Sequence, residues 1–129
     1  MKKILFTLPL LFVFFAAFPL HSAEELPTIS TEDLSKGIKD KTLSVIDCNM
    51  PEVYKKGHIP GAVYMSSSAP EAKVLPKDKN ALLVFYCKNP RCMASHRGAE
   101  FAKAQGYTNV KVYSLGIDGW EKAGMPIEK

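Results

Sequence analysis

Residues 81–86 read Ala-Leu-Leu-Val-Phe-Tyr, an unbroken apolar run. A strand with one wet face would alternate, so this run fits a strand covered on both faces. Two covered faces require helices on both sides of a mostly parallel sheet. The run ends at Cys87, and the polar loop Lys88-Asn89-Pro90-Arg91-Cys92-Met93 follows. Residues 94–105 then read as a helix with Ala94, Gly98, Phe101, Ala102 and Gln105 on one face, stopped by Gly106.

The same alternation runs through the rest of the chain. Ser30 suits the N-cap of a helix reaching about Lys39, with Glu32 and Asp33 at its positive end. Ile29 and Leu34 take hydrophobic-staple positions there. Residues 42–48 predict a strand, and Pro51 opens a short helical turn. Residues 57–62 predict a loop, residues 63–65 a short strand, and residues 66–80 a surface connection with one helical turn. Residues 109–115 predict the last core strand, and residues 116–123 a short helix ended by Gly124-Met125-Pro126. The expected fold is α/β, with a mostly parallel sheet in a three-layer α/β/α arrangement. In such sheets sites form at the carboxyl ends of strands, where Asp47 and Cys87 stand.

The N-terminus reads as an export leader. Lys2 and Lys3 precede an apolar stretch from Ile4 to Leu20, then Ser22, Ala23 and the acidic pair Glu24-Glu25. Pro9 and Pro19 interrupt a stretch already short for a bilayer span. The expected division is a signal peptide over residues 1–23 and one domain over residues 24–129, periplasmic or secreted, with no stable membrane association after cleavage. At 47% hydrophobic and 23% charged residues, disorder and fibrous repeats are excluded. The net charge of +4 includes Lys2 and Lys3, so the domain itself is close to neutral. It has no basic stripe for nucleic acid. Three cysteines are too few for a disulfide scaffold.

The chemistry concentrates after the apolar strand. A thiol between a buried strand and a helix faces backbone N–H groups that can form an anion nest. That field favours the thiolate and makes Cys87 the candidate nucleophile. Lys88 and Arg91 add positive charge, and the stretch from Lys79 to Ala99 contains no acidic residue. The expected ligand is a small anion held near Lys88, Asn89, Arg91 and Ser95. Cys92 has two readings: a structural disulfide partner of Cys87, or a thiol that resolves a Cys87 intermediate. Cys48 reads as a packed free thiol. His58 and Trp120 read as structural, His96 as a surface residue, and Asp47 as ordering the loop network. A metal at Cys87, Cys92 and His96 would lack a fourth ligand. No metal or organic cofactor is expected. A Cys-x5-Arg phosphatase is excluded because Met93 holds the arginine position.

Five segments resemble the rhodanese family: Ser44-Val-Ile-Asp47-Cys-Asn, Gly57-His-Ile-Pro-Gly-Ala62, Val84-Phe-Tyr-Cys87, Gly106-Tyr-Thr-Asn-Val110, and the Gly116 to Pro126 stretch with Gly119, Trp120, Ala123 and Gly124. They fall in family order across roughly residues 28–128. The resemblance implies a five-stranded parallel sheet and sulfur transfer through a persulfide on Cys87, from a donor such as thiosulfate to a thiol or cyanide. A thiol–disulfide protein using Cys87 and Cys92, and a non-enzymatic sulfur carrier, are the alternatives. Two features depart from the family pattern. The loop from Cys87 to Ser95 is longer by about two residues and carries Cys92, and Asn49 replaces the usual arginine.

Overall fold

The computed structural model describes residues 25–129. The leader read over residues 1–23 lies outside them. The elements are α1 (Thr31–Asp40), β1 (Ser44–Asp47), α2 (Pro51–Lys56), β2 (Val63–Tyr64), a 3-10 turn (Ala72–Val74), β3 (Leu83–Tyr86), α3 (Ala94–Ala104), β4 (Val110–Val112) and α4 (Gly116–Lys122). The strands pair in the order β2-β1-β3-β4, all parallel.

β1 and β3 send alternate side chains into two cores, and β4 adds Val110 and Val112 to one of them. Ile46, Leu83, Phe85, Val110 and Val112 pack with Ala94, Ala99 and Ala102 of α3. Val45, Val84 and Tyr86 pack with Leu34 of α1 and with Ile117 and Trp120 of α4. The result is the expected three-layer α/β/α arrangement. The unbroken apolar run at β3 follows from its central place: all four of its residues are buried.

Among the described residues four strands form, where the family resemblance implies five. The fifth position is reduced to one parallel bridge between Thr28 and Val112. Ile29 donates its N–H to the Val112 carbonyl at 3.1 Å, and Val112 donates to Pro27 at 2.9 Å. Pro27 has no N–H to give back, which limits the ladder on that edge. β1 and β4 are also shorter than expected, although Cys48 still donates to the Tyr86 carbonyl at 2.8 Å and Tyr113 to Phe85 at 2.9 Å.

Helix ends follow their sequence signals. The Ser30 hydroxyl accepts from the Asp33 N–H. Pro51 opens α2. Past α3, Gly106 adopts φ +96° and Tyr107 donates back to the Ala102 carbonyl at 3.1 Å. The buried face of α3 is Ala94, Ser95, Gly98, Ala99 and Ala102, while Gln105 is exposed. This face is small throughout, so α3 lies close on the sheet.

Candidate active site

The carboxyl ends of β1 and β3 lie side by side, with Asp47 in register with Tyr86. On the α1/α4 side, Tyr86 Oη donates to Asp47 Oδ2 at 2.5 Å and accepts the Ile59 N–H at 3.1 Å. Asp47 Oδ1 accepts the Asn49 N–H at 2.7 Å. One buried tyrosine thus ties the strand ends to the loop over residues 57–62. Burial is the main reason the Asp47 carboxyl is raised above its ordinary value, against the hydrogen bonds from Tyr86 and Asn49. Asp47 orders the network and does not face the thiols. His58 stacks on Tyr54 with ring centroids 4.0 Å apart, and its Nδ1 lies 3.0 Å from the Tyr54 carbonyl oxygen.

On the α3 side, all three cysteines gather in or against one cluster. Cys48 and Cys87 are buried and Cys92 is half-buried; all three are free thiols. Cys48 faces Gly98, where an added Cβ would come within 2.7 Å of its sulfur. Burial pushes its thiol well above the ordinary range, as the packing reading requires of an inert group.

The loop after Cys87 is built as a turn. Asn89 Oδ1 accepts the Arg91 N–H at 3.0 Å, and its carbonyl accepts the Cys92 N–H at 3.1 Å. Asn followed by Pro suits the first two positions of such a turn. The turn reverses the chain and returns Cys92 to Cys87. Cys87 Sγ donates to the Cys92 carbonyl oxygen at 3.2 Å and also lies 3.4 Å from Ser95 Oγ. Ser95, only 2% exposed, is held there by the first turn of α3.

The two thiols are polarised in opposite directions. Burial, then hydrogen bonding with the Cys92 thiol, raises Cys87 above its ordinary value, against the hydrogen bonds from Ser95. Burial works against ionisation at Cys92 as well. There it is outweighed by hydrogen bonds from the Cys87 thiol and from the Lys88 and Ala94 N–H groups, and by the charge of Arg97, so that Cys92 is lowered. The amides are shared between the two thiols: the Ser95 N–H acts on Cys87, and those of Lys88 and Ala94 on Cys92. Position in the sequence separates the two cysteines by four residues but does not show which of them the amides will face.

The other site residues are distributed unevenly. Lys88 is exposed and pairs with Asp118 of α4 at 2.9 Å. Arg91 is exposed on the turn. Arg97 acts on both Cys48 and Cys92, a closer tie to the thiols than its place one turn into α3 suggests. Gly116, at φ +66°, was not read from sequence as part of the site. A Cβ there would stand 2.4 Å from the Lys88 carbonyl carbon and oxygen. Its absence lets α4 lie against the loop, where Ile117 donates to the Cys87 carbonyl at 2.9 Å and Asp118 to that of Lys88 at 3.0 Å. Among the described residues, no group of three or more His, Cys, Asp or Glu side chains is placed to hold a metal ion.

Comparison with known proteins agrees with this architecture. The chain is 28% identical over 101 residues to "Putative sulfur carrier protein YrkF" of Bacillus subtilis, covering 78% of this chain and 54% of that one. The chain thus spans about half the length of the curated relatives it matches. The BH2092 protein of Bacillus halodurans superposes with a TM-score of 0.72 at 27% identity, over 79% of this chain and 76% of that one. A human single-domain sulfurtransferase, TSTD1, shares the fold with a TM-score of 0.64 at 20% identity, over 76% of this chain and 97% of that one. The sequence profile of the Rhodanese-like domain matches residues 30–123, and with that match the chain belongs to the rhodanese-like family.

Proposed function

We propose that the protein is a sulfurtransferase that carries a sulfane sulfur as a persulfide on Cys87. The observation that carries this reading is the position of Cys87 in a rhodanese-like domain: at the end of β3, beneath a loop that leads into α3, with Ser95 at 3.4 Å from its sulfur. The donor is a small anion such as thiosulfate, and the acceptor is a thiol or cyanide. Cys87 attacks the outer sulfur, the S–S bond of the donor breaks, and sulfite leaves with the electron pair. The acceptor then takes the sulfur and restores the thiol. The sulfur keeps its oxidation level, so the cycle needs no metal or redox cofactor. Nucleic acid and membrane have no part in it, and the export leader directs the domain to the periplasm or outside the cell.

Cys87 is only 1% exposed, so a donor reaches it when the turn over residues 89–92 shifts aside. A small anion needs less displacement than a bulky one, which favours thiosulfate-like donors. The proximity of Cys87 and Cys92 also supports a second reading, thiol–disulfide exchange. Intact mass separates the two. Reduced protein treated with thiosulfate should gain one sulfur atom, and Cys87→Ser should gain none. A loss of two hydrogens without added sulfur would select disulfide chemistry instead.

A further inference from the structure

We propose that Cys92 is a second sulfur-bearing residue, which takes the sulfane sulfur from Cys87 and presents it to the acceptor at the surface. This rests on the Cys87 persulfide of the proposed function. Three observations point to it. Cys87 is sealed under the loop at 1% exposure, whereas Cys92 is half-buried and reachable. The Asn89-Pro90-Arg91-Cys92 turn brings the two residues into contact, with Cys87 Sγ 3.2 Å from the Cys92 carbonyl oxygen. The Lys88 and Ala94 N–H groups and the Arg97 charge favour the thiolate at Cys92, while Cys87 has the Ser95 N–H and hydroxyl beside it but is raised by burial. A charge leaving Cys87 is therefore best received at Cys92.

The transfer balances without an oxidant. The Cys92 thiolate attacks the outer, protonated sulfur of the Cys87 persulfide. A new S–S bond forms at Cys92, and the old one breaks with its electron pair on Cys87 Sγ. The proton of the outer sulfur passes to Cys87, which again hydrogen-bonds to the Cys92 carbonyl. The terminal sulfur on Cys92 carries the negative charge, facing Lys88, Ala94 and Arg97. A protein thiol too large to reach Cys87 can then collect the sulfur from Cys92.

The sequence provides its own readout. Trypsin cuts after Lys79, Lys88, Arg91 and Arg97, so Cys87 and Cys92 fall on separate peptides, residues 80–88 and 92–97. Full-length reduced protein is loaded with thiosulfate, freed of excess, alkylated rapidly and digested. The expected result is the extra sulfur on peptide 92–97 in the native chain and on peptide 80–88 in both Cys92→Ser and Cys92→Ala. Delivery to reduced serum albumin, a folded protein thiol, should fall roughly tenfold or more in both variants because access controls the exchange. Delivery to cyanide should persist. Sulfur confined to peptide 80–88 in the native chain would overturn the relay and leave the sulfurtransferase reading standing. So would a Cys87–Cys92 disulfide with released hydrosulfide. No sulfur on either peptide, in native chain and variants alike, would overturn both.

Discussion

Gly98 and Cys48 make a pair whose coupling can be worked out from the packing of α3 on the sheet. A Cβ at Gly98 would stand 2.7 Å from Cys48 Sγ, 3.0 Å from Phe85 Cδ1 and 3.2 Å from Met65 Cε. Overpacking of this kind costs about 1–3 kcal/mol. Alanine in place of glycine inside a helix returns about 1 kcal/mol. Gly98→Ala alone should therefore lose about 0–2 kcal/mol. Cys48→Ala removes the obstructing sulfur and leaves a small void, at a cost of about 1 kcal/mol, comparable to a one-methyl truncation. In the double variant the added methyl occupies the space the sulfur left. It should be at least as stable as Cys48→Ala, with a favourable coupling of about 1–2 kcal/mol. Urea unfolding followed through Trp120, the sole tryptophan and 1% exposed, measures all four proteins. Both Cys48 variants should still take up one sulfur from thiosulfate. Losses that simply add would refute the packing account of Cys48, and lost sulfur uptake in a folded Cys48→Ala would refute its exclusion from the chemistry.

Other residues give independent tests. Tyr86→Phe strips a hydrogen bond from Asp47 and an acceptor from the Ile59 N–H, both buried, and should cost about 1–3 kcal/mol in the same unfolding assay. Asp47 is raised, chiefly by burial, so the folded state holds its proton more tightly than the unfolded chain. Its contribution is then most favourable below the ordinary aspartate range and declines as pH rises through the raised folded value. The stability of the native chain relative to Asp47→Asn should fall with pH in that window; a flat difference would contradict the burial argument. Cys92 is lowered and Cys87 raised, so iodoacetamide at neutral pH should label peptide 92–97 before peptide 80–88.

Much of the fold was legible because β3 sits at the centre of the sheet and burial on both faces leaves an unbroken apolar run. The caps at Ser30, Pro51 and Gly106 were readable for the same local reason: each meets a backbone demand of its own helix end. Edge geometry was less readable. The fifth strand shrinks to a single bridge where Pro27 lacks an N–H, an outcome that depends on which strand it meets. The strand–loop–helix position of Cys87 was legible, and the polarity of the two loop thiols was not. Cys87 and Ser95 come together as the family pattern implies, yet the loop amides are shared with Cys92, which is the lowered thiol. The Asn-Pro pair was a turn signal that could have placed Cys92 over Cys87. Nothing local marks Gly116, Asp118 or Arg97, because their ties to the loop cross between elements far apart in sequence.

The central claim is that Cys87 carries a sulfur. The most direct measurement is the intact mass of fully reduced protein before and after thiosulfate, for the native chain and for Cys87→Ser at equal folded concentration. The account predicts a gain of one sulfur atom in the native chain and none in Cys87→Ser. Equal uptake by Cys87→Ser, or no uptake by the native chain, would contradict it.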